Sequence, residues 1–162
     1  MATFPNPGIQ LIQAASFEQV ELARALFLEY ADSLGFSLSF QHFDEELKNL
    51  PGAYAPPSGR LLLAHHQGQA AGCVALRPLD NQVCEMKRLY VRHAYRGKGV
   101  GRMLVDRIIA EARTIGYERM RLDTIESSMQ DAIALYRRRG FREIAPYRSN
   151  PIAGALYLEL LL

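Results

Sequence analysis

A strand-like segment, a cluster of alternating glycines and a strongly amphipathic segment follow one another in this sequence and restrict its fold more than any other feature. Residues 83–91 are mostly apolar and predict a strand. Residues 99–115 place an apolar side chain at every fourth position and predict a helix. Residues 119–124 predict a second strand. Because strand–helix–strand units of this size are crossover connections, the two strands are predicted to be parallel neighbours. The alternating glycines are Gly97, Gly99 and Gly101.

The rest of the chain predicts a mixed sheet with helices on its faces. Apolar segments between turn residues predict the other strands at residues 9–15, 60–66, 70–78, 142–145 and 155–161. Helical periodicity and cap residues predict three other helices. The first covers residues 17–34 with Ser16 as its N-cap, and the second covers residues 43–50. The third follows a variant capping box at residues 128–131 and ends at residue 139. The chain has 162 residues, which fits one domain over residues 1–162.

The charge is unevenly distributed between the two halves of the chain. The formal net charge is +2. Residues 1–80 contain four basic and eight acidic residues, a net charge of −4, whereas residues 81–162 contain fifteen basic and nine acidic residues, a net charge of +6. The second half therefore favours an anionic partner, which the charge alone leaves open between nucleic acid, a phosphate-bearing cofactor and lipid.

Cysteine usage and the longest apolar segment indicate a cytoplasmic protein outside the membrane. Cys73 and Cys84 lack the spacing of a disulfide framework or a zinc site and are predicted to be buried thiols. The histidines have no clustered ligand partners, so no metal is expected. The first residues lack a signal-peptide pattern, and the apolar stretch 155–162 is too short to span a bilayer.

The glycine cluster predicts an anion site at the start of a helix. Glycine permits positive φ and close approach of the backbone, and the free N–H groups of a helix start attract phosphate. Two familiar phosphate loops do not fit, because Val100 follows where GxxxxGK[ST] needs a hydroxyl and Arg102 stands where GxGxxG needs its last glycine. The pattern that fits is Arg-x-x-Gly-x-Gly, from Arg96 to Gly101, with Lys98 adding a further cation.

This segment resembles the signature of the GNAT superfamily of acyl-CoA-dependent N-acetyltransferases. Leu89-Tyr90-Val91 precedes it at the expected distance, and residues 132–141, AIALYRRRGF, resemble the family's A-x-x-L-Y-x-x-x-G-F motif. The resemblance implies an α/β (α+β) fold with a mixed, mostly antiparallel sheet of six to seven strands and about four helices. It also implies a central parallel pair that splays apart.

The resemblance implies acetyl-CoA as acetyl donor and co-substrate, with no metal. The glycine turn is then expected to bind the pyrophosphate through backbone amides, and the preceding strand to bind the pantetheine arm. The implied cofactor-binding residues are Leu89, Tyr90, Val91, Arg96, Gly97, Lys98, Gly99, Val100, Gly101 and Arg102. Met129 departs from the family pattern, which often has asparagine there, so Ser127, Ser128 or backbone groups are the alternatives for that contact.

Two catalytic residues are implied by their positions in the family's motifs. Tyr136 matches a tyrosine that protonates the leaving sulfur, although a core aromatic is the alternative interpretation. Glu85 is the candidate base, and an apolar setting is expected to raise its pKa. A surface carboxylate paired with Lys87 or an arginine is the equally supported alternative, and a water chain can replace the base.

The acceptor is expected to be a primary amine of a small molecule that enters opposite the cofactor. Tyr54, Tyr147 and Arg148 lie in candidate pocket loops. Arg148 favours an acidic acceptor, whereas the acidic first half favours a cationic amine or a basic peptide. The rival functions are acetylation of a peptide or protein amine, a regulatory acyl-CoA-binding module and nucleic-acid binding. Nucleic-acid binding is not expected, because no aromatic residues are interleaved with the basic residues of the second half. A homodimer through residues 155–162 is compatible with the pattern, as is a buried internal strand.

Overall fold

A computed structural model describes residues 7–162, so the prediction that the chain has no signal peptide concerns residues outside the described part. Within it, the chain forms seven strands and four α-helices. The strands are β1 Ile9–Gln13, β2 Arg60–His66, β3 Gln69–Pro78, β4 Val83–Val91, β5 Arg119–Ile125, β6 Arg142–Glu143 and β7 Ala155–Leu161. The helices are α1 Phe17–Ser33, α2 Phe43–Lys48, α3 Val100–Ile115 and α4 Gln130–Arg138.

The strands form one mixed sheet in the order β1-β2-β3-β4-β5-β7-β6. Every neighbouring pair is antiparallel except β4 and β5, which α3 connects. The parallel pairing covers only Val83–Glu85 against Arg119–Arg121, although both strands continue beyond it. The predicted fold class and crossover are therefore confirmed, and the central strands part after Glu85.

Helices cover both faces of the sheet, and this explains why its middle strands are almost continuously apolar. In β2, Leu61 and Leu63 join the core under α1 and α2, whereas Leu62 and Ala64 join the core under α3. Where β4 bulges, Arg88 has a φ of 62° and the register with β3 shifts. The bulge places Lys87 and Arg88 together towards α1 and α2.

The two predicted helix starts differ in outcome. Ser16 caps α1 as expected, in a capping box with Gln19. The predicted capping box of α4 is wrong, because the amides of Ser128 and Met129 both donate to the Ile125 carbonyl and form a turn. The helix then begins at Gln130 without a side-chain cap.

The C-terminal strand β7 lies inside the sheet, between β5 and β6. Its Tyr157, Leu158 and Leu160 side chains are buried. The internal-strand alternative for residues 155–162 is therefore the one observed, and homodimerisation stays a prediction.

The cysteines lie in the core as predicted. Cys73 and Cys84 are both buried and free, and burial raises the pKa of the Cys84 thiol to about 12. No helix within residues 7–162 has the length and apolarity needed to cross a membrane. In the same residues, no group of three or more His, Cys, Asp and Glu side chains is arranged to hold a metal ion.

Candidate functional site

The parting of β4 and β5 opens a cleft of about 760 Å³ through the middle of the sheet. One end is formed by the glycine turn and by the beginning of α4. The other end lies under the end of α1 and residues 33–41. The cleft therefore joins the two faces of the sheet, a shape that lets two ligands meet from opposite sides.

The glycine turn has the backbone of an anion site. Gly97 and Gly99 have φ values of 77° and 85°, and Gly99 is the N-cap residue of α3. Within residues 7–162, none of the backbone amides from Gly97 to Arg102 donates to a protein acceptor. These amides and the positive end of the helix dipole are suited to a phosphate group.

Most of the predicted cofactor residues line this cleft. The exception is Lys98, whose ammonium group lies over the Tyr95 ring at 5.9 Å. Arg96 donates from Nε to the Val91 carbonyl at 3.0 Å and so ties the turn to the end of β4. In the described part of the chain, Arg96 and Arg102 have no acidic partner. The lining residues are Leu89, Tyr90, Val91, Arg96, Gly97, Gly99, Val100, Gly101 and Arg102.

Tyr136 reaches the same cleft from α4. Its ring packs against Phe141 with the ring centroids 5.6 Å apart, so the core alternative describes the ring correctly. Its hydroxyl makes no hydrogen bond to the protein within residues 7–162. Burial raises the pKa of this phenol, which therefore stays protonated and can donate a hydrogen bond. Ser127, Ser128 and Met129 line the wall beside it.

Glu85 lies at the point where the strands part and is completely buried. Arg77 donates to its Oε1 at 2.9 Å, and the Tyr147 hydroxyl donates to its Oε2 at 2.7 Å. Arg148 also donates to Oε2, and Lys87 stands 3.8 Å from Oε1. The structure thus brings Glu85, Tyr147 and Arg148 together, but as one ion-paired cluster behind the cleft wall.

The expected direction of the Glu85 pKa shift is wrong. Burial raises the pKa of Glu85, but the nearby charges of Lys87, Arg148 and Arg77 lower it by more than burial raises it. The pKa of Glu85 therefore lies below its ordinary value. Both oxygens already accept hydrogen bonds, so Glu85 is ion-paired as the alternative interpretation held, although inside the protein rather than on its surface.

The predicted acceptor residues do not line the cleft. Tyr54 is 2% exposed and packs edge-on against Phe27, because its loop folds back onto α1. Its hydroxyl donates to Glu46, which also accepts two hydrogen bonds from Arg88. Tyr147 and Arg148 are held by Glu85, so the structure does not bring any of the three predicted acceptor residues into this cleft.

Lys87, Asp123 and Asn150 line the cleft, and none of them was identified as a site residue from the sequence. Lys87 and Glu85 are two apart on β4 and so project from the same face of the sheet. A lysine inside an apolar strand was therefore an available signal. Asp123 and Asn150 are 27 residues apart and meet through a hydrogen bond of 3.1 Å, which no local pattern could indicate.

Comparisons with known proteins point to one family. A model of the Acetyltransferase (GNAT) family matches residues 21–141. An uncharacterized N-acetyltransferase of Schizosaccharomyces pombe is 42% identical over 139 residues, which are 85% of each chain.

Solved structures share the fold. An acetyltransferase from Streptococcus agalactiae superposes with a TM-score of 0.78 at 20% identity, covering 97% of this chain and 100% of the other. A GNAT family acetyltransferase from Elizabethkingia anophelis, crystallised with acetyl-CoA bound, has a TM-score of 0.70 at 22% identity with the same coverage. The resemblance drawn from the sequence and the enzyme class it implied are confirmed: this chain belongs to the GNAT family of acetyltransferases.

Proposed function

We propose that the protein transfers an acetyl group from acetyl-CoA to the primary amine of a small molecule by direct attack. The observation that carries the proposal is the continuous cleft, which connects an anion-binding turn to the gap between β4 and β5. A donor held by the turn would reach the gap from one face of the sheet. An acceptor can enter from the opposite face.

The residues of the turn and of β4 fit the donor. The free amides from Gly97 to Arg102 suit the pyrophosphate, and the guanidinium groups of Arg96 and Arg102 add positive charge. Because β5 leaves β4 after Glu85, the edge of β4 from Leu89 to Val91 can hydrogen-bond the pantetheine arm. The Elizabethkingia protein of the same fold was crystallised with acetyl-CoA.

The reaction needs two proton transfers, and the gap offers a route for each. Acetyl-CoA brings a thioester, whose carbon–sulfur bond breaks as the carbon–nitrogen bond to the acceptor forms. Tyr136 then donates a proton to the leaving sulfur, because its hydroxyl is protonated and has no hydrogen-bond partner among the described residues. Glu85 could take the ammonium proton only after releasing one of its donors. Transfer of the ammonium proton to water in the open cleft needs no such rearrangement.

The end of α1 and residues 33–41 cover the acceptor end of the cleft, which favours a compact substrate over a long peptide. The acceptor end is walled by the apolar or aromatic side chains of Tyr30, Phe36, Leu38 and Phe40. Tyr136 lines the cleft, and its hydroxyl has no hydrogen-bond partner among the described residues, which favours turnover over a purely regulatory acyl-CoA-binding module. A cytoplasmic location, a single domain and a homodimer stay predictions.

Acetyl-CoA is expected to raise the thermal midpoint of the wild-type protein and not that of Gly99→Glu. Ligand at 100 times its Kd adds about 2.7 kcal/mol to the stability of the folded state. A carboxylate at Gly99 occupies the anion site and approaches Arg102, whose guanidinium lies 3.0 Å from the point where a Cβ of residue 99 would stand. Differential scanning fluorimetry with and without acetyl-CoA measures the shift.

Gly116→Glu is the matched control for this experiment. Gly116 caps the other end of α3 and also has a positive φ, 108°, so its replacement strains the backbone similarly without touching the turn. This control should keep the full acetyl-CoA shift. An undiminished shift in Gly99→Glu would contradict the proposed donor site. Acetyl transfer itself is tested by an acetylation screen over primary amines.

A further inference from the structure

Most charged side chains around the acceptor end of the cleft are neutralised by protein partners. Arg88 makes a two-point ion pair with Glu46, from Nε to Oε2 at 2.9 Å and from the second terminal nitrogen to Oε1 at 3.0 Å. Arg77 and Arg148 both donate to Glu85. Within residues 7–162, two charged groups of this wall are less completely neutralised: Lys87 on β4, whose nearest carboxylate is the shared Glu85 at 3.8 Å, and Asp123 on β5, which forms no ion pair.

Lys87 lies in surroundings with an excess of positive charge. Its Nζ donates to Gln41 Oε1 at 3.0 Å, and the nearest carboxylate, Glu85, is 3.8 Å away and already shared. Burial and the nearby Arg88 lower the pKa of Lys87 to about 7; Glu85 acts against them, whereas Arg77 on β3 and Arg148 in the loop before β7 act in the same direction as Arg88. A bound anion would relieve this repulsion and keep the ammonium group charged.

Asp123 offers the opposite charge on the facing strand. Asn150 donates from Nδ2 to its Oδ2 at 3.1 Å. Within residues 7–162, its other oxygen accepts no hydrogen bond and no basic side chain forms an ion pair with it. Its side chain is half-buried in the cleft wall, so an ammonium group that enters the cleft can reach it.

We propose that the acceptor is a small molecule carrying both a primary amine and a carboxylate, in the manner of an amino acid. The amine lies towards Asp123 and the carboxylate towards Lys87. This inference rests on the proposed function and narrows its substrate class. It transfers the acid-binding role that the sequence suggested for Arg148 to Lys87, because Arg148 is held by Glu85.

Matched acceptors test the inference directly. Purified protein and acetyl-CoA are incubated with the L-amino acids, with the corresponding amino-acid amides and with the corresponding decarboxylated amines, and released thiol is measured. The best amino acid should exceed its amide and its decarboxylated amine in kcat/KM by about 10- to 100-fold, as expected for one charged hydrogen bond.

Two variants separate the two ends of the acceptor. Lys87→Met should remove the preference for the carboxylate by lowering kcat/KM for amino acids about 10- to 100-fold relative to kcat/KM for decarboxylated amines. Lys87→Arg should retain much of the preference because it keeps the charge. Asp123→Asn should slow amino acids and decarboxylated amines alike. Lys48→Met, which removes an exposed lysine outside the cleft, should change none of these rates.

The outcomes distinguish the substrate class from the reaction. Equal or faster transfer to amides or decarboxylated amines would overturn the inference and leave acetyl transfer intact. A carboxylate preference that survives in Lys87→Met would overturn it as well, as would acetyl-CoA binding without transfer to any amino acid. The absence of both an acetyl-CoA thermal shift and thiol release with every amine would instead refute the proposed function.

Discussion

Replacing Glu85 with glutamine is expected to lower the free energy of unfolding by about 3 kcal/mol, because it removes the carboxylate shared by Arg77 and Arg148 in a fully buried site. Loss of one member of a buried ion pair leaves the others without their counter-charge. For a chain of this length the thermal midpoint should fall by about 6 to 12 °C. Urea unfolding of the two proteins at pH 7 measures the difference.

The pH dependence of this stability has a defined direction. The pKa of Glu85 is lower in the folded protein than its ordinary value of 4.5, so its contribution is present above that pH and is lost as the pH falls below it. The unfolding free energies of the wild type and of Glu85→Gln should therefore converge at acid pH.

Asp106→Asn serves as the control for Glu85→Gln. Its carboxylate also pairs with an arginine, Arg139, but it is 50% exposed and should cost less than about 1 kcal/mol. An unchanged stability in Glu85→Gln together with a large loss of kcat would contradict the structural role and restore Glu85 as the catalytic base.

Tyr136→Phe is expected to reduce kcat by about 100-fold, the lower end of what a positioned proton donor contributes. The variant removes only the hydroxyl, which has no hydrogen-bond partner among the described residues, so the packing against Phe141 should survive. The acetyl-CoA thermal shift should be nearly unchanged for the same reason. Steady-state kinetics at saturating acetyl-CoA, combined with the thermal shift, separate turnover from binding.

Tyr117→Phe is the control for Tyr136→Phe, because it removes a hydroxyl that is hydrogen-bonded within the protein. The Tyr117 hydroxyl donates to the Ser58 carbonyl at 2.7 Å and lies outside the cleft. Its loss should cost about 1 kcal/mol of stability and leave kcat unchanged. A Tyr136→Phe variant that keeps its full kcat would show that the leaving sulfur takes its proton from elsewhere, and the proposed role of Tyr136 would be wrong.

Local sequence patterns predicted a helix well where its apolar face or its N-cap residue determines where it begins and ends. The periodicity of residues 99–115 reproduced α3 to within one residue, and Ser16 was identified as the cap of α1. The predicted capping box of α4 was wrong because a turn through Ile125 competes with the cap, although the helix begins within one residue of the predicted start. A sequence pattern states which bonds are available, whereas competition between them is settled by the surrounding fold.

The residues of the candidate site also differ in how far the sequence could place them. The Gly97–Gly101 turn could be located from spacing, and Tyr136 was identified by its place in the motif that resembles the family's, since each lies within one contiguous stretch. Tyr54, Tyr147 and Arg148 could not be placed, because their hydroxyl and guanidinium groups are held by acids elsewhere in the sequence. A polar loop residue looks the same in a sequence whether it faces a ligand or a buried carboxylate.

The sequence by itself determined the strand–glycine–helix unit, the fold class that follows from it and the family. These depend on periods and spacings within one stretch of chain. Only the tertiary structure decided the charge state of the site: Glu85 is neutralised by two arginines, and Lys87 and Asp123 are left facing the cleft. Electrostatic energy depends on distance and burial in space, and neither can be read from the order of residues.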